Sequence, residues 1–294
     1  AVTDENHLNG LWFVRTTEAD PVPVSVEVED VLWADWAPNN RTIAWTKAEI
    51  VDEGPGWRGL NDLWTADISD RDFFVGRTQV LEPEAGGGYG WWGTRYAWGP
   101  DDTRLAYARP DVVGVVDLES GTRTPLLRFP AYRTYSSWAW NPTPSWSSDG
   151  QFLASTVHTS GLNEEDPEES PIFNLMLLSS SGHYSAELAL EVGMWSVPQF
   201  SPDGDRLLFG RALIPYQSAT SLYALHLIDR DGSNQDALHV DDEALELDRP
   251  QWVWGPDGRA VAYVQLGDVY WRPLPGSKAI PLTDEGNVRQ IVWR

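Results

Sequence analysis

The residues that could do chemistry are few and scattered. The five histidines are His7, His158, His183, His226 and His239. No two are near enough in sequence to read as a metal-binding pair, and each reads as a lone polar residue of a loop or strand. There is no Cys, so disulfides and thiolate metal sites are excluded. No Gly-x-Ser-x-Gly elbow marks a serine hydrolase. The run Asn163-Glu164-Glu165-Asp166-Pro167-Glu168-Glu169 offers the oxygen ligands that Ca²⁺ takes, but not the spacing or glycine of a preformed site. It reads as a solvated acidic loop. Gly86-Gly87-Gly88-Tyr89-Gly90 is a flexible tip; no Lys-Ser/Thr follows and no helix begins there, so it is not a phosphate loop. The expectation is no catalytic set, no metal and no cofactor, and the reading leans away from an enzyme.

What must position any site is a repeated β phrase. Its cleanest copy is Phe200-Ser201-Pro202-Asp203-Gly204-Asp205-Arg206-Leu207-Leu208-Phe209. Pro presets φ, Asp bonds the backbone ahead and Gly takes a left-handed conformation cheaply, so the phrase reads strand, tight turn, strand. Copies begin at Trp36, Trp98, Trp146 and Trp254, each followed by an apolar run such as Leu105-Ala106-Tyr107. A sixth begins at Gln290-Ile291-Val292-Trp293. Successive anchors lie 39 to 62 residues apart. That interval suits one four-stranded propeller blade per repeat. Between anchors, β-branched and aromatic runs are punctuated by Gly, Pro, Asp and Asn, with no sustained helical period.

These residues carry a resemblance. Phe/Trp-Ser/Gly-Pro-Asp-Gly, two residues, then Leu/Val-Ala-Tyr is similar to the WD40-like (PD40) repeat of the TolB propeller, of tricorn-type proteases and of the propellers fronting prolyl-oligopeptidase-type hydrolases. The resemblance spans nearly all the chain. It implies an all-β, six-bladed propeller of four-stranded antiparallel blades forming one domain, 1–294. The residues given contain neither TolB's α/β domain nor a hydrolase domain. The expected blades are 30–84, 85–131, 132–191, 192–241 and 242–284, with a sixth from 285–294 plus 1–29. In that last blade the C-terminal innermost strand would pair with N-terminal strands at 10–16 and 23–28, closing the ring and leaving no sheet edge.

Bulk numbers narrow the partner. With 21 Lys plus Arg against 44 Asp plus Glu, the net charge of −23 argues against nucleic acid and anionic lipid. No run of about 18 apolar residues exists, so membrane insertion is not expected. A first residue of Ala rather than Met fits removal of a signal peptide or a trimmed start, and the expected location is extracytoplasmic: periplasmic, secreted or cell-surface.

Seventeen Trp need an account. A buried Trp removes about 150–250 Å² from water, worth roughly 4–6 kcal/mol as an upper bound. That explains the anchors and those within strands: Trp12, Trp33, Trp45, Trp64, Trp252 and Trp271. The others lie in connections, and the long connections all fall at one end of the expected disc. That face would display Trp57, Tyr89, Trp91, Trp92, Tyr132, Tyr135, Trp138, Trp140 and Tyr216. Either it meets a protein partner, or a glycan, or these rings fold inward and plug the channel. Asp35, Arg95, Gln199, Gln251 and Gln290 sit on or beside the innermost strands and are the channel candidates for a small ligand. The leading expectation is a non-catalytic binding or scaffold propeller. The alternatives are a glycan-active lyase or hydrolase at the channel mouth, or a propeller cropped from a larger peptidase or membrane receptor.

Overall fold

The computed structural model describes residues 10–14, 20, 22–26, 29–52, 56–69, 74–84, 92–132, 139–160, 170–240, 243–244, 251–275 and 278–291. Its strands, in chain order, are β1 (Trp12–Phe13), β2 (Val24–Ser25), β3 (Val31–Trp36), β4 (Thr42–Ile50), β5 (Trp57–Gly59), β6 (Leu63–Asp67), β7 (Val75–Leu81), β8 (Arg95–Trp98), β9 (Arg104–Arg109), β10 (Val112–Asp117), β11 (Arg123–Arg128), β12 (Ser145–Trp146), β13 (Phe152–Thr159), β14 (Ile172–Ser179), β15 (Ser185–Ala189), β16 (Gln199–Phe200), β17 (Arg206–Ala212), β18 (Tyr223–Asp229), β19 (Asp236–Ala237), β20 (His239–Val240), β21 (Glu243–Ala244), β22 (Trp252–Trp254), β23 (Ala260–Gln265), β24 (Asp268–Pro273) and β25 (Ile280–Pro281).

The strands gather into antiparallel sheets that follow the repeat. Sheet one runs β3–β4–β6–β7, with β5 also paired to β4. Sheets two to five run β8–β11, β12–β15, β16–β19 and β22–β25, each in sequential order. β1–β2 and β20–β21 form separate two-stranded pairs.

The turn chemistry appears at each repeat. Gly150, Gly204 and Gly258 hold φ of 67°, 78° and 67°. Copies without that glycine place Asn40 and Asp102 there at 55° and 60°, residues that tolerate the left-handed region. In the Ser-Pro-Asp-Gly copy the Ser201 hydroxyl donates to Asp203 and accepts from the Arg206 N–H at 3.0 Å. The Asp203 pKa is lowered: the Ser201 hydroxyl contributes most, against some desolvation, and the Asp205 N–H adds to it.

Three anchor indoles, on sheets two, three and five, reach back to the preceding sheet. Trp98 Nε1 donates to Asp35 O at 3.2 Å, Trp146 Nε1 to Ala97 O at 3.0 Å and Trp254 Nε1 to Gln199 O at 3.0 Å. The acceptor is always the residue just before the previous anchor. Arg104 lies over Trp146 at 5.2 Å and Arg206 over Trp254 at 5.3 Å, so a cation from one sheet caps the next anchor. The cores therefore lie between sheets. Leu105 and Val116 share one with Ala44; Leu153 and Leu177 with Ala106; Val261 and Tyr263 with Leu208.

Among the described residues, Trp12 departs most from the core reading. Trp12 is 50% exposed, because β1 turns Phe13 toward sheet one instead. Phe13 meets Trp36 and Phe74 edge-on, at 5.6 Å each.

Sheets one and two are also tied by charge. Glu84, after β7, accepts from Arg109 Nη2 and pairs with Arg123 Nη1, both at 2.6 Å. The Arg109 hydrogen bond, outweighing desolvation and joined by Arg123, lowers the Glu84 pKa. A carboxyl depressed in the fold stabilises it fully above the unfolded value near 4.5, and that stability is lost as pH falls through the folded value. Half-exposure of Glu84 limits the effect to about 1 kcal/mol. Glu84→Gln should therefore lower the melting midpoint by about 2–4 °C near neutral pH, and the gap should close by about pH 3. A gap that persists in acid would show that the pair is not its source.

Candidate functional site

The candidate site takes in the long connections after β4, before β8 and after β17. β4 runs past its sheet and β5 folds back on it, pairing Ile50 with Trp57 and Ala48 with Gly59. Arg58 and Glu49 close an ion pair across this hairpin. Gly59 then meets the connection before β8 backbone to backbone: a Cβ on Gly59 would lie 2.6 Å from Gly93 Cα. That approach sets Trp57 edge-on against Trp92, ring centres 5.2 Å apart at 76°. Trp92 stays 46% exposed and Ile50 beside the hairpin 52%.

The anchorage behind the pair is polar and buried. Thr94 Oγ1 donates to Asn61 Oδ1 at 2.8 Å, Asn61 Nδ2 donates to Glu84 O at 3.2 Å and Asn141 Nδ2 donates to Gly93 O at 2.7 Å. In Gly59→Ala the new Cβ would lie within 2.8 Å of two backbone atoms of Gly93, with Leu32 Cδ2 at 3.0 Å beside them, so it should part the hairpin from the loop. The expected result is loss of the indole–indole exciton couplet in circular dichroism and about 1–3 kcal/mol of stability. An unchanged couplet would refute this positioning.

A second exposed group lies on the connection between β17 and β18. A 3-10 turn, Pro215–Gln217, displays Tyr216 at 41% exposure, with Leu213 and Ile214 exposed beside it. It is held from below. Ile214 N donates to Ser221 Oγ, Tyr223 Oη donates to Ser218 O at 2.8 Å, and Trp195 Nε1 donates to Ala219 O at 3.1 Å. Burial pushes the Tyr223 pKa to about 12, which keeps that phenol a donor.

Two expected face residues turn inward. Trp140 is only 3% exposed, its Nε1 donating to Met194 O at 2.7 Å and its ring 4.7 Å from Phe173. Tyr132 packs edge-on against Phe173 at 5.2 Å. Both bury apolar area against β14 that display would forfeit. Of the expected face, Trp92 and Tyr216 are exposed and Trp57 is half-buried; Tyr89, Trp91, Tyr135 and Trp138 lie outside the described residues, as does the acidic run 163–169. Sequence reasoning missed the Gly59–Gly93 approach and the Leu213–Ile214 patch. Only the unusual length of those connections signalled them.

The channel candidates bridge neighbouring sheets. Arg95 Nη1 donates to Thr143 Oγ1 at 2.6 Å, Gln199 Nε2 to Trp252 O at 2.8 Å and Gln251 Nε2 to Arg289 O at 2.7 Å. Solvent reaches Arg95, while nearby protein atoms partly desolvate its guanidinium and lower its pKa. Asp35 Oδ1 accepts from the Trp36 N–H at 2.9 Å, and Gln290 borders an apolar hollow on sheet five. Among the described residues no three of His, Asp and Glu gather as metal ligands.

Consecutive antiparallel sheets packed face to face, each anchored on the last, define a β-propeller. Solved structures agree on that class. TolB from Acinetobacter baumannii superposes with a TM-score of 0.52 at 17% identity, over 83% of this chain and 53% of that one. A putative TolB from Agrobacterium tumefaciens gives 0.51 at 14%, over 86% and 83%. Kuenenia stuttgartiensis hydrazine synthase gives 0.53 at 15%, over 89% and 70%. The chain spans about half the length of the Acinetobacter protein. At such identities the likeness is one of fold. No family model matches the chain, and no curated protein does. No helix among the described residues is long and apolar enough to cross a membrane.

Proposed function

We propose that this is a non-catalytic, extracytoplasmic propeller that holds a protein partner on its loop-rich end. The observation that carries the reading is the Trp57–Trp92 pair: two indoles locked edge-on by a backbone contact, yet nearly half of Trp92 open to solvent. Rigid, part-exposed Trp is what interface anchors are made of. The net charge of −23 favours a basic partner. The TolB likeness supports the choice of a binding propeller without naming the partner.

The proposed ring has six blades at the boundaries given above. Five sheets that follow one another along the chain support this division. Two observations support the sixth: β1–β2 packs on sheet one through Phe13, and Arg289 accepts from Gln251 as the next innermost strand would.

Immobilised protein incubated with an envelope extract tests the function. The expected result is one or a few proteins retained by the parent and lost by Trp57→Ala/Trp92→Ala. Equal retention by both would move the interface elsewhere, and turnover of a glycan would replace the reading with the enzymatic one. A second reading, a propeller domain of a larger peptidase or receptor, is favoured by coverage of only 39% of the acylaminoacyl peptidase of Pyrococcus horikoshii, at a TM-score of 0.52. The full reading frame decides it.

A further inference from the structure

Among the described residues, seven that are not glycine hold a positive φ. Five are Asn or Asp, whose short polar side chains bond locally and tolerate that region, and one is Glu191. The seventh is Leu266, at 52°, and it is also 83% exposed. A lone exposed leucine is ordinary on a protein surface. One that also holds a backbone angle its side chain disfavours is not, because Asn or Asp would serve the turn better.

The turn explains the angle. Gln265 pairs with Asp268 across β23 and β24, so Leu266-Gly267 is a two-residue hairpin loop, and Gly267 follows at 82°. That pair of angles belongs to the type I′ turn, which takes Asn-Gly by preference. The tip is also braced. A Cβ on Gly267 would collide with the Gly286 backbone. Val288 N donates to Gly267 O at 2.9 Å, and Asp268 Oδ1 accepts from Gly286 N at 2.9 Å and from Thr283 Oγ1 at 3.0 Å. The segment 283–288 thus fixes the turn while the leucyl side chain stays in water. Leu266 borders a hollow of about 470 Å³ together with Val264 and Val288. Around the tip Asp268, Asp284 and Glu285 outnumber Arg289, and Asp284 and Glu285 are exposed. The loop joins the second and third strands of its sheet, as do the connections that carry Trp57 and Tyr216.

We propose that Leu266 is a contact residue for the protein partner, a braced knob that enters an apolar pocket ringed by Lys or Arg. The inference rests on the binding reading above and adds to it a further contact with its chemistry. The leucyl side chain calls for the apolar pocket, and the acids beside it call for the basic ring. A chain that keeps Leu where the turn suits Asn gives up fold stability, and apolar contact is what Leu supplies there and Asn does not.

Leu266→Asn should therefore raise the melting midpoint by about 1–3 °C. It should also lower retention of the partner, on immobilised protein in the same envelope extract, by at least about tenfold. Leu266→Met keeps the apolar reach and should hold retention within about threefold of the parent. A benzophenone at the tip locates the contact. Irradiated in that extract, Leu266→p-benzoylphenylalanine should crosslink to the retained protein within an apolar segment that bears Lys or Arg. Tyr184→p-benzoylphenylalanine, at a site 54% exposed between β14 and β15, should not. A midpoint that fails to rise in Leu266→Asn, retention equal to the parent's, or crosslinks confined to an acidic or polar segment would overturn the proposal. Retention lost by Trp57→Ala/Trp92→Ala yet kept by Leu266→Asn faults this contact alone. The reverse supports it and faults the indole pair. A parent that retains nothing ends both.

Discussion

Replacing Trp254 by Ala should lower stability by about 3–5 kcal/mol, the usual cost of emptying a large aromatic site. Trp254 is 6% exposed and joins the core shared by sheets four and five. Its Nε1 bond to Gln199 O, at 3.0 Å, and the Arg206 guanidinium over its face go with it. Arg206 would keep its 3.1 Å bond to Gly258 O and lose the ring beneath. Against a typical total of about 5–15 kcal/mol, the loss should move the melting midpoint by roughly 10 °C or more. Trp254→Phe should cost only about 1 kcal/mol, one hydrogen bond. The chain itself makes that substitution at the fourth anchor, where Phe200 fills the same place at 8% exposure. Urea denaturation of the two variants measures the difference. Equal losses for Ala and Phe would mean that the hydrogen bond, and not the buried ring, holds these sheets together.

The second large effect is functional. Trp57→Ala/Trp92→Ala should weaken partner binding by at least 30-fold, about 2 kcal/mol, while the melting midpoint stays within about 3 °C. The asymmetry follows from exposure. Trp92 already leaves 46% of its surface in water, so its removal forfeits little core, whereas a partner would desolvate both rings at once. The two substitutions should not be additive, because each indole is the other's support at 5.2 Å. Titration of the captured partner by calorimetry is the measurement. A fall in binding matched by a fall in stability would make the pair structural, and unchanged binding would end its candidacy.

The repeat was readable because its physics is local. A Ser-Pro-Asp-Gly phrase specifies its own turn through bonds spanning at most five residues, as from Arg206 N to Ser201 Oγ. Strand alternation likewise states which residues are buried, and Leu105, Leu153, Leu207 and Val261 all are. The site was less readable. Sequence could set the expectation that aromatics collect at one end of the blades, since that depends only on which connections are long. It could not separate Trp92 from Trp140. Both lie in connections between sheets, and the two differ by whether Met194 O and Phe173 stand within reach.

By itself the sequence determined an all-β chain of repeated hairpins, their turn conformations, and the aromatic at each anchor, because turn and alternation rules act over a few residues. The tertiary structure decided which aromatics face water and which face protein. It set Gly59 against Gly93, 34 positions apart, and so paired Trp57 with Trp92. It also turned Trp12 outward while burying its neighbour Phe13. Such outcomes depend on where distant segments meet in space, and no local rule of sequence carries that information.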